Sequence, residues 1–236
     1  MESVQKLTHI EHILKRPDSY VGPVDLNVEP YWVLNSNKSQ FEKKNLKYSP
    51  ALLKIFDEIL VNAIDRNSMH PKNVTSISVD IDKESGAVTI ENNGPLGGIG
   101  VRMHEKEGLW NPELTFGHLL TSTNYDDTKK RVVGGRNGYG AKLTNIYSSD
   151  FSIVIKDHEN KQTYTQKWSK NMTVCEPPKI KKHSGATSSV SVTFVPDWRR
   201  FGLSKMENAI YKIFQKRVWD ANICTTPNCK VKFNGD

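Results

Sequence analysis

Apolar residues along this chain recur in two rhythms, and the change from one to the other marks its elements. After Ser49-Pro50, a cap followed by proline at the first helical position, Leu52, Phe56, Ile59, Leu60 and Ala63 recur at helical spacing. They predict a helix from Pro50 to about Asn67. Upstream, Thr8-x-x-Glu11 is a capping box that opens a short helix to about Leu14, ended by Pro17. Ile77-Val79-Ile81 and Val88-Ile90 alternate with polar residues instead, and with the connecting Asp82-Lys83-Glu84-Ser85-Gly86 they predict a β-hairpin. Residues 151–155, 163–168 and 188–194 have β-type composition, and a last short strand is expected over 230–233. Asn111-Pro112 opens a helix to Leu120, and residues 206–220 form an amphipathic one. The stretch 18–47, rich in Pro, Asn and Ser with apolar islands at Tyr20-Val21 and 31–34, reads as a strand or strap plus a loop.

Composition narrows the class without fixing it. At 236 residues the chain suits one large domain or two small ones, with 36% hydrophobic and 25% charged residues, as in ordinary soluble proteins. No apolar run is long enough to span a membrane, and the N-terminus MESVQKLTHIEH lacks the apolar stretch of a signal peptide. Cys175, Cys224 and Cys229 are odd in number and form no CxxC pair, which argues for a reduced intracellular protein. A net charge of +7 is compatible with an anionic partner. The basic residues are scattered, however (Lys15-Arg16, 179–182, Arg199-Arg200, Lys216-Arg217), so solvated faces explain them as well as a DNA track does.

Candidate chemistry concentrates in Gly134-Gly135-Arg136-Asn137-Gly138-Tyr139-Gly140-Ala141-Lys142, with four glycines in seven positions ahead of a predicted helix at 142–147. Convergent N–H groups at such a turn and the helix dipole favour an anion, and Arg136 and Lys142 add positive charge. It is not a Walker loop, because Ala141 intervenes before Lys142 and Leu143 stands where a magnesium-binding hydroxyl is required. The order G-x-x-G-x-G also differs from the dinucleotide fingerprint. A mobile surface loop would carry the same glycines.

On the helix after Pro50, Glu58, Asn62 and Asp65 fall within roughly 60° of one another at about 100° per residue. An amide oxygen at Asn62, with substrate phosphates and waters, is a sufficient ligand set for Mg2+. Glu58, one turn earlier, would then face the same cleft and could deprotonate a water for attack on a γ-phosphate. Asn92, at the end of the hairpin, offers both donor and acceptor to the N6/N1 edge of adenine.

These residues bring a family with them. Glu58-Ile59-Leu60-Val61-Asn62-Ala63, Asn92-Asn93-Gly94, Thr121-Ser122-Thr123-Asn124-Tyr125-Asp126-Asp127 and residues 134–142 closely resemble the ATPase domain of eukaryotic-type DNA topoisomerase II. That family belongs to the wider group of gyrase, MutL-type, heat-shock-chaperone and histidine-kinase nucleotide-binding folds. The likeness extends to Leu14-Lys15-Arg16-Pro17-Asp18-Ser19-Tyr20-Val21-Gly22, Phe116-Gly117-His118-Leu119-Leu120 and Thr193-Phe194-x-Pro196-Asp197.

The resemblance implies an α+β, two-layer sandwich of the Bergerat (GHKL) type: a mixed, mostly antiparallel sheet backed by helices, with a long ATP lid. It implies residues 1–22 as an N-terminal arm and 23–236 as the ATP-binding domain. Glu58 would be general base, Asn62 the Mg2+ ligand and Asn92 the adenine contact. Ser122, Thr123 and Asn124 would reach ribose and phosphates, while Arg136, Asn137, Gly138, Tyr139, Gly140, Ala141 and Lys142 would wrap the triphosphate. The implied function is an ATP-driven gate that dimerises for DNA strand passage, with ATP and Mg2+ as substrate and cofactor, a second copy and DNA as partners, and no membrane. The implied location is the nucleus in a cellular eukaryote, otherwise cytoplasmic or viral.

The family continues into a transducer and a DNA-cleaving core, which this chain does not reach, so the isolated polypeptide is expected to bind ATP weakly and turn it over slowly or not at all. The chain departs from the family's usual pattern at Val4, Arg66, Val190 and the longer turn 95–100; Ser189 is expected to stand in for a usual threonine at Val190. Two other readings use the same residues. One is a chaperone or mismatch-repair ATPase; the other is a non-catalytic nucleic-acid or partner-binding module with a degenerate cleft.

Overall fold

The computed structural model describes residues 4–35, 37, 40–95, 98–121 and 138–236. Helix α1 (His9–Lys15) opens on the expected capping box, with the Glu11 carboxylate accepting from the Thr8 N–H at 2.7 Å. Its Ile13 is fully buried, and the Ile13 carbonyl accepts from the Tyr147 hydroxyl at 2.7 Å, which draws the N-terminal segment into the core. Helix α2 (Pro50–Met69) starts at Ser49, whose hydroxyl accepts from the Leu52 N–H. It buries Leu52, Phe56, Ile59, Leu60 and Ala63, the stripe that its spacing predicted, and Ile55 beside them.

One eight-stranded sheet carries the fold. Its strands are β3 (Ser76–Ile81), β4 (Val88–Gly94), β5 (Ser148–Asp157), β6 (Gln162–Ser169), β7 (Val174–Cys175), β8 (Lys179–Lys182), β9 (Ser188–Pro196) and β10 (Lys230–Phe233). Their order is β10-β3-β4-β9-β5-β6-β7, with β8 also on β6, and every pairing except β10 with β3 is antiparallel. Alternation divides the faces. Ile77, Val79, Ile90, Val192, Ile153 and Ile155 turn toward the helices and are buried. Thr89 and Thr193 turn away and share a hydroxyl hydrogen bond of 2.9 Å across β4 and β9.

Helices α2, α3 (Asn111–Gly117), α4 (Gly140–Ile146) and α5 (Asn208–Cys224) belong to the other layer. This is the two-layer α+β sandwich that the sequence led us to expect. Phe56 of α2 stacks on Phe214 of α5 at 4.0 Å between centroids and 7° between planes. Beside that stack, Arg217 Nε donates to both oxygens of Asp57 at 2.9 and 3.2 Å. Burial pushes the Asp57 carboxyl above its usual range, even though Arg217 and Lys54 pull it down.

The fold differs from the expectations in several places: β7 and β8 are strands that the sequence pattern does not predict, and α4 begins at Gly140 rather than Lys142. The stretch 18–47 contains a separate antiparallel pair, β1 (Asn27–Leu34) and β2 (Phe41–Tyr48), seated against α5 with Phe41 edge-on to Trp219 at 5.9 Å. Helix α3 ends at Gly117 rather than Leu120, because His118 is already extended at φ −121° and ψ 124°, and Leu120 beyond it takes a left-handed φ of 60°.

Candidate nucleotide-binding cleft

A cleft of about 1310 Å³ opens between α2 and α4, floored by Ile90 and Asn92 of β4 and by Val190 and Val192 of β9. Helix α2 sends Glu58, Asn62 and Arg66 into it, one turn apart in succession. Asp65, read as part of the same stripe, does not line it. Asn62 is exposed to the opening, whereas the Glu58 side chain keeps 20% of its surface and pairs with Lys54 one turn before.

The start of α4 faces Glu58 at very close range. A Cβ built on Gly140 would lie 2.0 Å from Glu58 Oε2, so any larger residue here would force the carboxylate to move. Tyr139, at the N-cap, makes no capping bond with its side chain. The rest of α4 is buried and pinned: Thr144 donates its hydroxyl to the Ile55 carbonyl of α2 at 2.8 Å, and Asn145 Nδ2 donates to the Phe116 carbonyl of α3 at 3.1 Å. At the far end, Asn171 Nδ2 donates to the Ile146 carbonyl at 2.9 Å. The glycine turn is thus held against the carboxylate by hydrogen bonds between helices.

Lys142 was expected to present open positive charge. It is only 3% exposed, and its Nζ donates to the carbonyls of Thr121 at 2.7 Å and Gly138 at 2.6 Å. Burial pushes its ammonium down to about 8. Gly138, Tyr139, Gly140, Ala141 and Lys142 all line the cleft. Ser122, Thr123, Asn124, Arg136 and Asn137 lie outside the described residues.

Asn92 is 6% exposed and stands in register with Ile77 on one side and Val190 on the other. Val190 faces the cleft, so strand alternation turns Ser189 to the opposite face, and Ser189 is not among the lining residues. The expectation that Ser189 stands in for a threonine at position 190 therefore fails on geometry.

Arg66 stands in the sequence only as a departure from the family's usual pattern, with no partner assigned to it. Arg66 donates from Nη2 to the Gly98 carbonyl at 2.5 Å, tying α2 to the loop beyond β4. The far end of that loop is fixed by Asp157, whose Oδ2 accepts from the Val101 N–H at 2.7 Å. Burial would raise the Asp157 carboxyl, but its hydrogen bonds from Asn160 and from backbone N–H groups outweigh that and hold it below the usual range. At the mouth, Tyr20 and Tyr139 pack with centroids 6.4 Å apart, and His9 lies edge-on to both. Among the described residues no group of three or more His, Cys, Asp or Glu side chains could hold a metal, and no helix is long and apolar enough to cross a membrane.

Comparison with known proteins comes down on one side. No family model matches the chain. It is 46% identical to DNA topoisomerase 2 of Penicillium chrysogenum over 234 residues, covering 99% of this chain and 14% of that protein. It is 44% identical to DNA topoisomerase 2 of Saccharomyces cerevisiae over 221 residues, covering 94% of this chain and 15% of that protein. The crystal structure of the ATPase region of Saccharomyces cerevisiae topoisomerase II superposes with a TM-score of 0.94 at 43% identity, covering 99% of this chain and 61% of that one. The chain thus spans only 14–15% of the length of these curated relatives. With an ATPase-region fold at this identity over nearly all its residues, the chain belongs to the DNA topoisomerase II family, where it corresponds to part of the ATPase region.

Proposed function

We propose that this chain is the ATP-binding and ATP-hydrolysing gate module of a type IIA DNA topoisomerase. One observation carries the reading: the Glu58 carboxylate lies against the Gly140 backbone, with Asn62 one turn further along the same cleft wall. A terminal phosphate seated at the start of α4 would meet that carboxylate directly. Glu58 then orients a water and takes its proton as the oxygen attacks the γ-phosphorus, and ADP departs as the leaving group. Lys54, paired with Glu58, fixes the direction of the carboxylate.

Asn62 offers an amide oxygen to the open cleft, and the chemistry of that donor fits magnesium, a hard cation that binds one or two protein oxygens beside substrate phosphates. When bound, the ion neutralises phosphate charge. Asn92 presents donor and acceptor to the adenine edge above an apolar floor of Ile90, Val190 and Val192. The turn 138–142 offers backbone N–H groups to the phosphates, joined by Ser122, Thr123, Asn124, Arg136 and Asn137. In this reading residues 23–236 form the ATP-binding domain and residues 1–22 its N-terminal arm. ATP binding joins two copies, and the longer enzyme passes one DNA duplex through another inside the cell, in the nucleus of a cellular eukaryote.

Two substitutions test it. Asn62→Ala should collapse the binding of a non-hydrolysable ATP analogue in the presence of Mg2+, measured by calorimetry. Glu58→Ala should leave that binding within a few-fold of the original and abolish turnover in the full-length enzyme. Untouched nucleotide affinity in Asn62→Ala, together with strong DNA affinity of the chain itself, would favour the non-catalytic binding module instead.

A further inference from the structure

Arg66 also lines the cleft, and its surroundings differ from those of Lys142 and of Lys54, which pairs with Glu58. The Lys142 ammonium is already met by two carbonyls. Arg66 spends Nη2 on Gly98, while its Nε is buried and has no hydrogen-bond partner among the described residues. Burial also depresses its basicity. A buried donor left unmade is costly, and a guanidinium with a vacant N–H is suited to an anionic oxygen.

Position narrows which anion. Along α2, Arg66 lies one turn beyond Asn62 and two beyond Glu58, so about 6 and about 12 Å further along the axis. With a terminal phosphate opposite Glu58, the inner phosphates fall on the Arg66 side of Asn62. The Gly98 bond holds the guanidinium there before any ligand arrives, which reduces the ordering cost of contact.

We propose that Arg66 is a phosphate-binding residue that lets this cleft hold a nucleotide without a divalent metal. It neutralises inner-phosphate charge from the helix, beside the oxygen that Asn62 offers to magnesium. The inference rests on the nucleotide-site reading above and goes beyond it by assigning part of the charge neutralisation to the protein.

The test is calorimetric binding of ADP and of adenosine to this chain, with Mg2+ and with EDTA, comparing the original with Arg66→Gln and Arg66→Lys. Thermal melting checks that the variants fold. Metal removal should weaken ADP binding to the original by less than about tenfold, with Arg66→Gln losing at least about tenfold more and Arg66→Lys recovering part of it. Adenosine should bind all three equally. Equal losses of ADP affinity in the original and in Arg66→Gln on adding EDTA would overturn the proposal while leaving the nucleotide site intact. Parallel losses for adenosine and ADP in Arg66→Gln would also overturn it, because they would make Arg66 a mere tie to the Gly98 loop. Failure of the original to bind ADP even with Mg2+ would remove the nucleotide site itself, and this inference with it.

Discussion

Gly140→Ala separates catalytic geometry from stability. The new methyl would sit 2.0 Å from Glu58 Oε2, where ordinary contact begins at 3.4 Å, an overlap of 1.4 Å (3.4 − 2.0). Helix α4 cannot retreat, because Thr144 and Asn145 tie it to α2 and α3. The carboxylate can: it is the far end of a flexible side chain beside an open cleft. Gly140 is the first helical residue and is not among those with positive φ, so alanine suits its backbone and offsets the crowding by up to about 1 kcal/mol. Net stability should therefore change by no more than about 1 kcal/mol. Turnover should not survive so well, since a displacement of about 1 Å at a reacting group can cost about 100-fold, or about 2.7 kcal/mol of barrier. Single-turnover ATP hydrolysis in the full-length enzyme, run beside calorimetric nucleotide binding and a thermal melt, reads all three quantities. Wild-type turnover in Gly140→Ala would refute the role of the Glu58–Gly140 contact. So would global unfolding, which would show that the clash cannot be relieved through the side chain.

Other perturbations address the framework around the cleft. Lys142 is charged in the fold only below about 8, against an ordinary value of 10.5, so the stability it contributes is present above the ordinary value and is lost as pH falls through about 8. Denaturant titrations from pH 7 to 10 should show wild-type stability gaining on Lys142→Met as pH rises, by up to about 3 kcal/mol; a constant difference would contradict a buried ammonium. Arg217→Met should cost about 2 kcal/mol by removing a charged hydrogen bond between α5 and α2. It should also leave Asp57 with a carboxyl raised further above its unfolded value, so the deficit should be larger at pH 7 than at pH 4, and the reverse order would refute the pairing. Thr144→Val keeps the shape but deletes the bond to the Ile55 carbonyl, and should lower stability by about 1 kcal/mol in a denaturant melt.

Much of this arrangement is legible in the sequence because it depends on local signals. Ser49-Pro50 and a five-membered apolar stripe suffice for α2, and the same periodicity places Glu58 and Asn62 on one face. The Thr8–Glu11 capping box and the alternating hairpin 76–94 are equally local. What escapes depends on distant partners. Strand β2, Phe-Glu-Lys-Lys-Asn-Leu-Lys-Tyr, has no clean alternation, and it is held by pairing with β1 and by Phe41 meeting Trp219. Lys142 reads as free charge until Thr121, 21 residues earlier, brings a carbonyl to its ammonium. Arg66 is visible in the sequence only as a departure from the family's pattern, since a buried Nε without a partner among the described residues is a property of the packed cleft rather than of the residue. Ser189 was misplaced because neighbours along a strand face opposite sides.

The most direct test of the central claim is a crystal structure of this chain with a non-hydrolysable ATP analogue and Mg2+. The account predicts a Glu58 carboxylate oxygen within about 3 Å of a water in line with the terminal phosphorus, the Asn62 amide oxygen on the ion, and the backbone of 138–142 against the phosphates. A nucleotide bound outside the cleft between α2 and α4, or a Glu58 carboxylate turned away from the terminal phosphate, would contradict it.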